Sequence, residues 1–273
     1  DHTDVKFCSE ITDLLVQKLG KNSDQRISTQ NFSALVVSRY LTNHSFLESM
    51  ASKYGSDLQI IELGSGFTPH FLNLRSGVGK YIEIELDINS KLKEEITKKL
   101  TNKDNIIFIS GDILSTDVWN KVRSIIDTTK PVLIFSEGVI AQYFTKEQKE
   151  KIASLTKDFL VSNGSAFIID DTIRNHIELH SNPIIKEGMD RVATQSGNST
   201  YKGEATSLTL EIDNWSKLFN NKVSVIDYIL SKPEMDFAIS NLRLIVCMKD
   251  PKNEFETVLA QLSKSNRNTR IWK

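Results

Sequence analysis

The stretch Gln59-Ile60-Ile61-Glu62-Leu63-Gly64-Ser65-Gly66-Phe67-Thr68-Pro69-His70 concentrates more chemistry than any other part of this chain. An apolar run ends in an acidic residue and a Gly-x-Gly turn, then restarts at Thr68-Pro69. That order describes a buried strand delivering its tip to a nucleoside, with a helix leaving the turn. Gly64 and Gly66 let the backbone bend sharply and approach a ligand without Cβ collisions. Thr68 suits the cap of the next helix and Pro69 its first turn. A dinucleotide site asks for a third glycine in Gly-x-Gly-x-x-Gly, and this chain has Pro69 there. The pattern favours a ligand without phosphates, and Glu62 offers a carboxylate to a cationic amino group. S-adenosylmethionine (SAM) meets both conditions; an ordinary tight turn is the alternative for a bare Gly-x-Gly.

Further acidic residues stand at the ends of later apolar runs. Asp87 lies 23 residues beyond Gly64, and a carboxylate there can accept from both hydroxyls of a ribose. Glu83 and Glu85 share its face by strand alternation but lie further from the tip. In Ser110-Gly111-Asp112-Ile113, Asp112 can accept from an adenine amino group while Ile113 packs on the ring; Gly-Asp is also ordinary turn chemistry. Glu137 closes the run Val132–Ser136 and faces the ribose or the methionyl ammonium, and Tyr143 faces the substrate or is a packed aromatic. Asp170 and Asp171 end another run, where either is a general base for a hydroxyl substrate or a turn residue. His176 and His180, four apart, could share a helix face, but no third ligand is evident and no metal is expected. Trp119 and Trp215 read as core or surface anchors.

Those residues need a scaffold that aligns strand tips. Short apolar strands alternate with helices from Asp57 onward, the mark of a parallel α/β sheet. Strands are expected at 59–63, 80–86, 106–110, 132–136, 165–170, 224–230 and 242–248, and helices at 69–74, 90–100, 116–126, 146–160 and 214–219. Seven strands, the last two without a long helix between them, predict a doubly wound sheet closed by an antiparallel hairpin. Ahead of the glycine turn, helical spacing over 4–19 and 31–54 predicts a helical cap spanning residues 1–55, with the cofactor domain over 56–273. Residues 172–207 are polar and break the rhythm, so a substrate lid or a surface loop is expected there, and 253–273 reads as a helix with a polar tail.

Composition removes several classes. The chain has 273 residues, 39% hydrophobic, with net charge −1, enough for one substantial core and without the basic surplus of a nucleic-acid binder. Cys8 and Cys247 make neither a disulfide framework nor a zinc site. No run has the length of a membrane span and no signal-peptide pattern opens the chain, so a cytoplasmic protein is expected.

Taken together the pieces resemble the leucine carboxyl methyltransferase family, which includes bacterial polyketide O-methyltransferases. The matching parts are the Arg39 helix, Glu62-Leu63-Gly64-Ser65-Gly66, Glu85-Leu86-Asp87, Gly111-Asp112-Ile113, and Ser136-Glu137-Gly138 with Tyr143 nearby, within residues 35–150. The resemblance implies a class I SAM-dependent methyltransferase. Arg39, 25 residues before Gly64, would grip the SAM carboxylate as a charge-assisted pair. By the same resemblance Gly64 would approach the methionyl part, Asp87 the ribose, Asp112 and Ile113 the adenine, and Glu137 would line the pocket. Two departures bear on the substrate. Thr68-Pro69 replaces an acidic residue after Gly66, and Tyr143 comes one position later than the family's tyrosine, leaving Gln142 in its place.

The expected activity is methyl transfer to a carboxylate or hydroxyl of a small molecule, of polyketide type or another secondary metabolite. A carboxylate acceptor needs no base; a phenol would call on Tyr143, Asp170, Asp171 or His176. A protein C-terminal carboxyl methyltransferase and a non-catalytic SAM-binding protein are the alternatives. Hydride transfer is disfavoured, because Tyr143 and Lys146 miss the dehydrogenase spacing by one residue.

Overall fold

Strands of β-branched and aromatic residues, buried on both faces, form the centre of the molecule. A computed structural model describes residues 7–19, 30–173, 208–220, 222–227, 242–248 and 271–272. Strands β1 (Gln59–Leu63), β2 (Lys80–Glu85), β3 (Ile106–Ser110), β4 (Val132–Ser136) and β5 (Ala166–Ile173) run parallel to one another. Strands β6 (Lys222–Asp227), β7 (Leu242–Met248) and β8 (Ile271–Trp272) join antiparallel, giving one eight-stranded sheet in the order β3-β2-β1-β4-β5-β7-β6-β8. Among the described residues the expected seven strands therefore become eight. The added one is Ile271–Trp272, where a polar tail was expected, and it pairs with Val225 and Ile226. β5 also continues past its expected end at Asp170 to Ile173, and its register against β7 shifts between Ile169 and Thr172.

Strand alternation sends side chains to two cores. On one face Ile60, Tyr81, Leu133, Phe135 and Ile168 pack with Phe46, Leu47 and Met50 of helix α2 (Gln30–Tyr54) and Ile11 of α1 (Cys8–Leu19). On the other, Ile61, Leu63, Ile82, Ile134 and Phe167 meet Trp119 of α5 (Thr116–Ile125), Ile152 of α7 (Lys146–Thr156) and Trp215 of α8 (Leu208–Phe219). Both tryptophans are buried. Short helices α3 (His70–Asn73) and α6 (Ile140–Tyr143) leave the tips of β1 and β4, and α4 (Asp87–Leu100) leaves β2. α4 begins at Asp87 rather than at Ser90, so the acidic residue sits in its first turn, where the helix dipole favours it.

Strand order reverses between β1 and β4, each paired with its outer neighbours in parallel register. In open α/β sheets the crevice beyond the carboxyl ends at such a reversal is where ligands bind. Among the described residues no helix is long and apolar enough to cross a membrane, and no group of three or more His, Cys, Asp or Glu is arranged to hold a metal. The expected lid lies outside the described residues apart from Thr172 and Ile173, which belong to β5. The expected helix of the C-terminal piece lies outside them too.

Candidate active site

The turn after β1 is held from below. Gly64 has φ +63° and Gly66 φ +48°, values that L side chains rarely adopt. The Gly64 N–H donates to Ile84 O at 2.9 Å, which stitches the turn to β2. A Cβ on Gly64 would come within 2.6 Å of Val139 Cγ2, whereas one on Gly66 would meet nothing within 4 Å. The first glycine thus lets the β4 tip close in, and the second leaves open space above the turn.

Glu62 and Thr68 serve this turn from inside. Glu62 is fully buried; its Oε2 accepts from the Tyr81 hydroxyl at 2.7 Å, and Thr68 Oγ1 stands 2.8 Å from its Oε1. Thr68 Oγ1 also lies 2.9 Å from Ser65 O, so one proton faces two acceptors. This corrects the expectation of Thr68 as a helix cap. Pro69 holds the N-cap position of α3 and its ring has no group to cap with, while the Thr68 hydroxyl is turned to the buried Glu62 carboxylate.

A second acidic site lies at the tips of β2 and β3. Glu85 accepts from the Gly66 N–H and the Leu86 N–H, each at 2.8 Å, which ties the end of β2 to the glycine turn. Asp87 is exposed and accepts from Ser110 Oγ of β3. Asp112 is exposed as well, and its Oδ1 accepts from Leu114 N at 2.8 Å in an Asx turn. Ile113 is turned inward: it is buried in the second core and its carbonyl accepts from Trp119 Nε1 at 2.7 Å. Under this rim Lys93 Nζ lies 3.2 Å from Ser65 O and 2.8 Å from Glu83 Oε2, close enough for an ion pair though not aligned as a hydrogen bond. Burial pushes the Glu83 carboxyl up to about 7 even with Lys93 beside it. Glu83 is thereby an internal group, as its distance from the strand tip suggests.

At the tip of β4 the structure builds a cluster of side chains around Glu137. Arg39 Nε donates to its Oε1 at 3.3 Å; Asn43 Nδ2 and His70 Nε2 reach its Oε2 at 3.2 and 2.6 Å. The Arg39 guanidinium lies on Gly138, where a Cβ would come within 2.9 Å of Nη1. His70 stacks on Tyr40 with ring centroids 4.5 Å apart, and its Nδ1 is 3.5 Å from His44 Nδ1. Burial and the neighbouring His70 push His44 down to about 4. For Glu137, burial alone would raise the carboxyl, but the His70 ring, the Arg39 guanidinium and the Asn43 amide outweigh it and hold it at about 2.

That balance has a consequence for acid stability. A glutamate in the unfolded chain titrates near 4.5, above the folded value of about 2, so the contribution is complete above pH 4.5 and is lost as pH falls through 2. Its size is on the order of 3 kcal/mol. Glu137→Gln is expected to flatten the acid limb of unfolding free energy between pH 4.5 and 2, as measured by urea denaturation across that range. An unchanged limb would remove Glu137 from the account of acid stability.

Of the other expected residues, Tyr143 ends α6 half-buried against the second core. Asp170 and Asp171 lie within β5, where its register slips, and not in a turn after it. His176 and His180 lie outside the described residues. Arg39, Gly64, Gly66 and Glu137 are thus brought together at the tips of β1 and β4, with Asp87 and Asp112 beyond β2 and β3. Sequence reasoning missed Glu85 as the brace of the turn, and it missed Asn43, His44 and His70. Arg39/Asn43 and Tyr40/His44 are i,i+4 pairs on α2, the one local signal that could have exposed a polar face there.

With this geometry in hand, comparison with known structures gives the fold a class. The chain is similar to a provisionally named methyltransferase from Thermobifida fusca YX, with 16% identity, TM-score 0.56, and 89% of this chain and 88% of that one covered. It is also similar to an O-methyltransferase family protein from Burkholderia thailandensis, with 10% identity, TM-score 0.53, and 90% and 68% covered. The fold is that of the class I methyltransferases. No protein-family model and no curated protein matches the sequence.

Proposed function

We propose that this protein is a SAM-dependent O-methyltransferase acting on a carboxylate or hydroxyl of a small molecule. The observation that carries the reading is the order of groups along the sheet rim. A guanidinium lies at the β4 tip on Gly138, two glycines at positive φ turn at β1, carboxylates stand at Glu85 and Asp87 beyond β2, and Asp112 follows β3. That sequence of charges is complementary, end to end, to a carboxylate, a sulfonium, a ribose diol and an adenine amine.

The donor set suits this cofactor better than a phosphate-bearing one. Arg39 would hold the methionyl carboxylate, the Gly64–Gly66 backbone would pass close beneath the sulfonium arm, Asp87 would take the ribose hydroxyls and Asp112 the adenine amine. Glu62 and Glu137 act in this reading from behind, since their carboxylates accept from Tyr81 and Thr68, and from Arg39, Asn43 and His70. When bound, SAM supplies an electrophilic methyl group for in-line displacement, so positioning by these residues provides much of the catalysis. The finer resemblance, to leucine carboxyl methyltransferases, rests on Arg39 with Glu62–Gly66, Glu85–Asp87 and Ser136–Gly138. For a hydroxyl acceptor the candidate bases are those read from the sequence, Tyr143, Asp170, Asp171 and His176.

The test is incubation of purified protein with methyl-labelled SAM and a panel of small carboxylic acids and phenols. Label in acids is the expected result; label in phenols alone would move the acceptor to a hydroxyl. Label found only on peptides with a free carboxyl terminus, or on nothing in the presence of bound cofactor, would sink the small-molecule reading.

A further inference from the structure

We propose that His70 is a positioning residue that sets how strongly Arg39 holds the carboxylate of the bound nucleoside; this rests on the reading above. The shortest contact in the cluster is His70 Nε2 to Glu137 Oε2, at 2.6 Å, against 3.2 Å for Asn43 and 3.3 Å for Arg39. Glu137 is therefore anchored mainly by the ring, and its other oxygen is what orients the Arg39 Nε. His70 is fully buried, stacked on Tyr40 at an interplanar angle of 16°, with Phe135 edge-on at 5.4 Å. A ring so enclosed has no route to substrate, yet burying an imidazole carries a desolvation cost that an apolar residue would not, offset here by its hydrogen bond to Glu137. Its effect passes through Glu137.

Without the His70 donor, Glu137 has fewer partners and must satisfy its charge on Arg39, drawing the guanidinium into the protein and away from a ligand. The carboxylate grip weakens, while the rim at Asp87 and Asp112 is untouched. His70→Phe keeps a ring to stack on Tyr40 and removes the donor. His70→Gln gives up the ring and keeps an N–H donor of similar reach.

The experiment is calorimetric titration of the wild type and both variants with two nucleosides. One is S-adenosylhomocysteine; the other is S-adenosyl-3-thiopropylamine, the same molecule without its carboxylate. Melting curves establish that each variant is folded. His70→Phe is expected to bind S-adenosylhomocysteine about tenfold more weakly, the loss of one charge-assisted hydrogen bond's worth of orientation, with the thiopropylamine unchanged. His70→Gln is expected to recover most of the loss. If His70→Phe weakens both ligands equally, or His70→Gln is the worse variant, the ring matters for packing alone and the proposal is overturned. Wild-type protein that binds neither nucleoside would instead overturn the cofactor reading on which it rests.

Discussion

Replacing Arg39 with methionine is expected to weaken S-adenosylhomocysteine binding about a hundredfold while leaving the protein folded. Two charge-assisted hydrogen bonds to a carboxylate contribute on the order of 3 kcal/mol, and that figure corresponds to two decades of affinity. Methionine keeps an unbranched stem of similar length on α2 and removes the charged fork. Glu137 would still have His70 at 2.6 Å and Asn43 at 3.2 Å, so the buried charge is not left bare. The melting temperature should fall by only a few degrees, on the scale of ~1 kcal/mol in a domain of this size. Calorimetry paired with a thermal melt separates the two effects. Affinity within threefold of wild type would remove Arg39 from the site.

Gly64→Ala carries the second large effect, and here the fold and the site fail together. At φ +63° an L residue costs about 1–2 kcal/mol, and the new methyl would lie 2.6 Å from Val139 Cγ2. Either the turn lifts off β2, breaking the Gly64 N–H bond to Ile84 O, or the β4 tip withdraws with Gly138 and the arginine lying on it. Total destabilisation is expected on the order of 3 kcal/mol, with loss of measurable cofactor binding. Gly66→Ala, which meets no atom within 4 Å, should cost only the backbone term yet still obstruct the ligand. Adding Val139→Ala to Gly64→Ala should restore part of the stability, because the two side chains share one clash. Equal stability losses for Gly64→Ala and Gly66→Ala would contradict this picture.

The parallel half of the sheet was legible in the sequence for a physical reason. β1 and β4 begin and end where the apolar runs do, since a strand buried on both faces admits little else, and the half-buried β3 keeps its expected bounds as well. Helix starts were less legible: α4 takes in Asp87 because the first-turn acid is favourable, although the apolar period begins later. β8 escaped because its only signal is pairing with Val225 and Ile226, some 45 residues away, and two residues carry no period. The site divides the same way. Strand-tip residues could be read from local order, whereas the anchoring of Glu137 could not. His70 is 67 positions from Glu137 and Arg39 is 98, and no spacing rule links a helix, a turn and a strand end across that length of chain. The sequence offers only Glu137 at the end of an apolar run, a carboxylate that demands donors once the fold buries it.

Titration of the purified protein with S-adenosylhomocysteine and, separately, with NAD tests the central claim most directly. A single saturable site for S-adenosylhomocysteine, weakened by Asp87→Ala as well as by Arg39→Met, and no heat with NAD is the expected result. Heat from NAD with none from S-adenosylhomocysteine would contradict the account at its base.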